Sequence, residues 1–279
     1  MTKQTPLSRR EMLGILGAAG LGGLGVRWTS AAPPFSKWGL QLYTVRSLLT
    51  RDVPGTLAAV AQTGYKEVET AGYANMSPAD FRKALDAAGL TAPSAHVDIN
   101  AVDSGIAAQL DNCAKVGHRW LVVPSLPGSF RSADGYKKAG EILSNAAEKA
   151  KGVGVRIGYH NHDVDFQPVG NTNGMELILA NSSNDVAAEL DVYWIVKAGG
   201  DPFEFLNKHR GRVKMLHLKD ASPAPERAMR SVGAGDIDWA RLLPLANKNG
   251  VEHVFVEHDN PSDALVSIKD SYAFLSKLK

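Results

Sequence analysis

The sequence predicts an α/β fold, a single (β/α)8 TIM barrel over residues 33–279, preceded by an export signal in residues 1–32. Three observations predict it. Short apolar runs alternate with helical patterns from Trp38 to the end of the chain, without a break that would mark a second domain. The repeats number eight, which is the rhythm and length of a closed barrel. The first apolar run leads into Gln41-Leu-Tyr-Thr-Val-Arg46, which lacks the glycines of a nucleotide-binding turn and so disfavours an open doubly wound sheet.

Residues 1–32 are set apart by composition. Arg9-Arg10 precedes a modest, glycine-rich apolar stretch from Gly14 to Val26, and then the small residues Thr29-Ser-Ala-Ala-Pro-Pro34. This order of a basic start, apolar centre and small-residue end resembles a twin-arginine export signal, and implies a periplasmic or otherwise exported protein. The apolar stretch is too short and too interrupted for a membrane span, so no stable span is expected once the signal is removed. Lys3, Arg9, Arg10 and Arg27 against Glu11 give these residues +3, so of the chain's +2 the remainder carries −1. With no basic excess, nucleic acid is not an expected partner. Cys113 is the single cysteine, so no intramolecular disulfide can form.

The strands read in order as Trp38–Thr44, Tyr65–Thr70, Pro93–Asp98 and Trp120–Ser125, followed by Arg156–His162, Val186–Asp191, Val213–Asp220 and His253–Asp259. Among the helices, Ser77 is placed to cap one whose first position is Pro78 and whose stop is Gly89. Asp201-Pro202 and Asp238-Trp239 open two later helices in the same way.

The last four strands end on groups that bind metals or move protons: His160, Asn161, His162, Asp191, His217, Lys219, Asp220, Glu257 and His258. Barrel chemistry belongs at the C-terminal ends of strands, and side-chain alternation lets one inward residue per strand converge on a point. Burying such groups unpaired is costly, so a shared cation is an economical partner. Imidazole and carboxylate donors without thiolate suit Mn²⁺, Mg²⁺, Co²⁺ or Zn²⁺. Plainer roles are open for each residue. Asp191 could cap a helix or pair with Lys197, His217 could be a satisfied core imidazole, and Lys219 could simply pair with Asp220. Earlier strands add His96 as a proton shuttle or loop residue, Glu69 as a hydroxyl contact or lysine partner, and Gln41 and Tyr43 as pocket contacts, with packing the plainer role of Tyr43. His118 and His209 follow helices and are given no role. Glycines 233 and 235 do not make a phosphate cradle, so a phosphorylated ligand is not expected.

The most specific segments are Gly158-Tyr-His-Asn-His-Asp163, Leu190-Asp-Val-Tyr-Trp194, His217-Leu-Lys-Asp220, Gly233-Ala-Gly-Asp-Ile-Asp-Trp239 and Val256-Glu257. With these, Trp38–Lys279 resembles the xylose isomerase-like barrel superfamily, often labelled sugar phosphate isomerase/epimerase. By position, the resemblance implies one divalent metal ion on His160, Asp191, His217 and Glu257. It also implies catalysis by Glu257, His162, Lys219 and His96, and substrate contacts from Gln41, Tyr43, Glu69, Asn161, Trp194 and Arg230. His160 stands where the ketose 3-epimerases have glutamate, and Trp194 where they have histidine. The Tyr-His-Asn-His segment is closer to inosose dehydratases and enzymes acting on 3-keto-glycosides. The implied activity is isomerisation or epimerisation through a metal-stabilised enediolate, with β-elimination from a keto-sugar or 3-keto-glycoside as the alternative. A carbohydrate-binding barrel without turnover is the alternative of a different class. The expected partner is a small carbohydrate, with a homo-oligomer also compatible.

Overall fold

A computed structural model describes residues 34–278, so the reading of residues 1–32 as an export signal lies outside the described residues. The eight expected strands form one closed parallel barrel. They are β1 Gly39–Gln41, β2 Glu67–Thr70, β3 Thr91–His96, β4 Trp120–Val123, β5 Arg156–His160, β6 Val186–Asp191, β7 Val213–Leu218 and β8 His253–Val256. Each pairs with its neighbours in sequence, and β1 closes the ring on β8 through Gly39↔Phe255 and Leu40↔Val256.

Most strands are shorter than the apolar runs suggest. The first stops at Gln41, whose side chain accepts from the Tyr43 amide, and Leu42–Val45 becomes a 3-10 turn. Residues past His160, Leu218 and Val256 likewise leave the ladder. Polar side chains there can satisfy loop backbone, which ends pairing earlier than hydrophobicity alone indicates. The helix signals hold. Pro78–Ala88 has Ser77 as its side-chain cap and stops at Gly89 in the left-handed conformation, where a side chain would be strained. Asp201 and Asp238 cap Pro202–Lys208 and Trp239–Lys248.

The main core lies between the strands and the outer helices, with Leu57, Leu85, Leu143, Leu206, Leu242 and Ile268 buried against the strands' outward side chains. A second apolar cluster of Trp120, Val122, Ala187, Met215 and Phe255 fills the barrel interior. Phe255 crosses this space because Gly39 offers no side chain; a Cβ there would lie 2.5 Å from the Phe255 ring. This apolar plug occupies one end of the barrel and leaves the other, at the strand C-termini, to polar side chains. No helix among the described residues is long and apolar enough to cross a membrane.

Asp220 anchors the loop after β7. The bland expectation of a Lys219–Asp220 pair is not met, because Asp220 turns the other way. It accepts from the Trp239 indole at 2.8 Å and from the amides of Gly233 at 2.8 Å and Ala221 at 2.9 Å. Asp220 is fully buried, and removing its carboxylate strands these donors, each worth about 1.5–3 kcal/mol against a charged acceptor. Asp220→Ala is expected to lower stability by roughly 3–5 kcal/mol, read as a fall in Tm of about 10 °C or more.

Candidate active site

Strand register decides which groups meet. On β5 and β6, His160 lies beside Glu189, and on β6 and β7, Asp191 lies beside His217. On β1, β2 and β3, Gln41, Glu69 and Ser94 are neighbours. The expectation of a single inward residue per strand is therefore wrong for β6. Glu189 and Asp191 are two residues apart, on the same face, and both are fully buried. Period-two alternation from Asp191 would have found Glu189; apolar neighbours on both sides concealed it.

Two groups of donors result, and His217 belongs to both. The first holds His96, His160, Glu189 and His217, whose ligand atoms lie within 4.8 Å of one another. Glu189 Oε2 is 2.8 Å from His96 Nε2, 3.0 Å from His160 Nδ1 and 3.2 Å from His217 Nε2. Glu69 lies beside them, 2.6 Å from His217 Nε2 and 3.0 Å from His96 Nε2, and receives a 2.7 Å hydrogen bond from Gln41. Burial works against a charged imidazole at His96, yet Glu69 and Glu189 raise its pKa to about 9. Burial, joined by the charge of Glu69, raises the Glu189 carboxyl. Burial also tends to raise Glu69, but His96 and His217 hold it well below the usual carboxylate range.

The second group is Asp191, His217 and Glu257. His217 Nδ1 is 2.7 Å from Glu257 Oε2 and 4.0 Å from Asp191 Oδ2, and His160 Nε2 is 3.6 Å from that same Asp191 oxygen. Glu257 also has a buried cation beside it. Lys219 Nζ is 2.7 Å from Glu257, 2.7 Å from Asp259 and 3.0 Å from Asp191. Burial opposes its charge, but the three carboxylates outweigh it and raise its pKa. Burial likewise tends to raise Glu257, while Lys219 and His217 hold it far below its ordinary value. Asp191 rises to about 6 because burial outweighs the pull of Lys219. It does two jobs: Oδ1 caps the helix Val192–Lys197 through the Trp194 amide, and Oδ2 faces Lys219 off the hydrogen-bonding direction, without a donor of its own. Lys197 pairs elsewhere, with the Glu226 carbonyl.

Above these groups opens a cavity of about 260 Å³, bordered by Tyr43, His96, His160, His162, Lys219 and Glu257, with Asp259 and Asn260 on its rim. It is smaller than the range of about 300–1,000 Å³ common for drug-sized ligands, and suits a small polar molecule. A larger cavity of about 410 Å³ lies at the N-terminal ends of β4 and β5 beside Trp120 and Arg156. Its basic side chains are already engaged, Arg156 by Glu252 and Lys151 by Asp185, and it contains none of the clustered imidazoles.

The expected substrate contacts separate into two sets. Tyr43, 42% exposed, lies in the turn after β1 and borders the cavity, with the Arg46 guanidinium over its ring. Gln41, Glu69 and Asn161 are fully buried below it. Asn161 instead clasps the Asp191 backbone, accepting its N–H at 2.9 Å and donating to its carbonyl at 3.3 Å. Trp194 stands 5.3 Å from the His162 ring, with Lys219 Nζ 5.7 Å from its own ring centre. Arg230 is exposed on a short hairpin, where Met229–Arg230 pairs with Asp220–Ala221. His162 is two residues beyond His160, and Asp165 holds its amide at 2.8 Å. Burial, then the charge of Lys219, lowers the His162 pKa to about 4. Its Nδ1 has no hydrogen-bond partner. Asp259 was overlooked although it stands two residues after Glu257, the spacing that puts both on one side of an extended segment.

These features define a barrel protein with a polar pocket of imidazoles, carboxylates and one lysine at the strand C-termini, where barrel enzymes place their chemistry. The chain belongs to the family described as Xylose isomerase-like TIM barrel, whose profile matches residues 57–278. Its fold is similar to that of a sugar phosphate isomerase/epimerase from Parabacteroides distasonis ATCC 8503, with 28% identity, a TM-score of 0.77, and coverage of 90% of this chain and 98% of that one. It is also similar to the probable 3-DHS dehydratase AsbF from Bacillus anthracis, with 12% identity, a TM-score of 0.68, and coverage of 87% and 100%. IolI, described with a binding zinc atom, gives 16% identity, a TM-score of 0.66, and coverage of 87% and 99%. The latter two show the fold alone. No curated protein matches the chain.

The donor set fits a divalent cation on its own chemistry. Imidazole nitrogens and carboxylate oxygens converge, no thiolate is near, and the buried oxygens Asp191 Oδ2 and Glu189 Oε1 lack hydrogen-bond donors.

Proposed function

We propose that this chain is a divalent-cation-dependent enzyme that moves a proton at a carbon beside a carbonyl of a small, unphosphorylated sugar, as an isomerase or epimerase. The observation that carries the reading is the meeting of opposite proton-transfer tools on one cavity wall: His162, kept neutral, and Lys219, kept charged. A cation held by the donors around His217 supplies positive charge that acidifies the carbon and steadies a negative oxygen.

The chain's own groups do the rest. His162 has an unpartnered Nδ1 and borders the cavity, so it can take the proton from carbon. Lys219 can donate to the oxygen that gains charge as the enediolate forms. Glu257, locked as a carboxylate by Lys219 and His217, faces the same space and can accept from a substrate hydroxyl and orient it, while the proton taken by His162 returns to carbon from His162 itself. Tyr43 and Asn260 border the rim and can bind the remaining hydroxyls.

One observation favours a second outcome for the same intermediate. His160 takes the position of a second glutamate, leaving Glu257 as the one glutamate that borders the cavity. Exchange between two opposed carboxylates is thus replaced by a one-sided arrangement, which suits expulsion of a β-substituent from a keto-sugar or 3-keto-glycoside. Incubation with free ketoses in D₂O and with 3-keto-glucosides, followed by NMR, separates the outcomes. Deuterium at the carbon beside the carbonyl supports isomerisation or epimerisation, and release of the aglycone supports elimination. Neither change, in protein shown to carry its cation, rejects both and leaves a sugar-binding barrel.

The export reading of residues 1–32 joins this proposal. Replacing Arg9 and Arg10 together by lysine is expected to hold the protein in the cytoplasm on cell fractionation; unchanged export would reject the twin-arginine route.

A further inference from the structure

The positions implied by family resemblance for the cation are His160, Asp191, His217 and Glu257. In this chain the two carboxylates of that set already enclose a cation. The Lys219 ammonium is 98% buried and lies within 3.0 Å of Asp191, Glu257 and Asp259. A second, divalent charge among the same oxygens would meet it at close range.

The group around Glu189 is built differently. Glu189 Oε2 has three imidazole nitrogens within 3.2 Å, more than the two lone pairs of one oxygen can accept as directed hydrogen bonds. Meanwhile its Oε1, equally buried, has no donor at all. Among the described residues, Glu69 and Glu189 have no lysine or arginine partner; the ionisable groups beside them are His96, His160 and His217, and Glu69 also accepts from Gln41 and Ser94. Three nitrogens gathered on one side of one carboxylate, with the Glu69 carboxylate against two of the same nitrogens, is the arrangement of a ligand sphere.

We infer that His96, His160, Glu189 and His217 hold the divalent cation, and that Lys219 fills the cation's place between Asp191 and Glu257. The assignment rests on the cation-dependent reading given above and sharpens it. Three imidazoles and one carboxylate suit Zn²⁺ or Co²⁺ and disfavour Mg²⁺, which prefers oxygen. Lys219 then meets the substrate as a fixed charge on the cavity wall that His96 and His160 also border.

The test is Co²⁺ titration of the full chain and its variants, read by visible absorption and by the rise in Tm that a bound cation gives. Wild type and Asp191→Asn are expected to bind Co²⁺ with constants within about threefold of each other. Glu189→Gln and His96→Gln are expected to weaken binding by more than about a hundredfold, above the usual effect of losing an outer-layer partner. Using two variants guards against one that fails to fold. Loss of binding in Asp191→Asn with retention in Glu189→Gln and His96→Gln would overturn the assignment and leave the cation-dependent reading standing. A wild-type chain that binds neither Co²⁺ nor Zn²⁺ would overturn both.

Discussion

Lys219→Met is expected to destabilise the protein by about 3–5 kcal/mol, the cost typical of breaking a buried ion pair from one side. The substitution leaves Asp191, Glu257 and Asp259 facing one another without the ammonium that now lies between them. The loss should depend on pH, with a sign that follows from linkage. In the wild type, Glu257 is held below its unfolded pKa, so its contribution is present above that value and fades as pH falls. In the variant Asp191, which burial already raises, loses the ammonium that pulls its pKa down, and Glu257 keeps only His217 as counter-charge. The folded state then binds more protons than the unfolded one, so the variant is most stable at low pH and loses stability as pH rises through neutrality. Tm measured from pH 4 to 8 for both proteins checks this. A variant whose deficit does not grow with pH would mean that Lys219 is not the counter-charge of this cluster. Methionine nearly preserves the stem's volume, so packing alone should not reproduce the effect.

His162→Ala should produce the largest change in turnover with little change in cation binding. Losing a positioned general base costs about 10²–10⁴-fold in rate, and His162 lies outside both donor groups. Because its pKa is lowered to about 4, the imidazole stays neutral through most of the acid range. The wild-type kcat should therefore stay flat from neutrality down to about pH 4 as far as this base is concerned, and fall below it as the ring takes up a proton. Comparing kcat and Co²⁺ affinity in the same preparation separates a lost base from a lost cation. A His162→Ala variant with near wild-type kcat would assign the proton transfer elsewhere, with Glu257 the next group on the cavity wall.

The barrel was legible because its signals are local. Capping side chains such as Ser77 and Asp201, the Pro78 start, the Gly89 stop and eight apolar runs each depend on a few adjacent residues. The candidate site was legible in part for the same reason. Asp191, His217, Lys219 and Glu257 end apolar strands, and an ionisable group in that position stands out. Glu189 did not stand out, since Val186-Ala-Ala and Leu190 around it read as ordinary core. Asn161 was read as a sugar contact, yet it binds the Asp191 backbone, a bond across two strands and 30 residues of chain. Glu69 was read as a pocket residue and lies beneath two imidazoles, one of them 148 residues away in sequence.

By itself, then, the sequence determined the fold, the end of the barrel where chemistry is placed, and an inventory of imidazoles and carboxylates in excess of what a plain core would bury. Tertiary structure alone decided how that inventory divides. The register between β5, β6 and β7 put Glu189 against His160 and Asp191 against His217, and chain closure brought Glu69 and His96 across to join them. Lys219 settled among three carboxylates that sequence spacing could not bring together. The reason is that side-chain alternation is a short-range rule, fixed by the backbone of one strand. Charge pairing in a dry interior is fixed by distances between strands, which only the closed barrel sets.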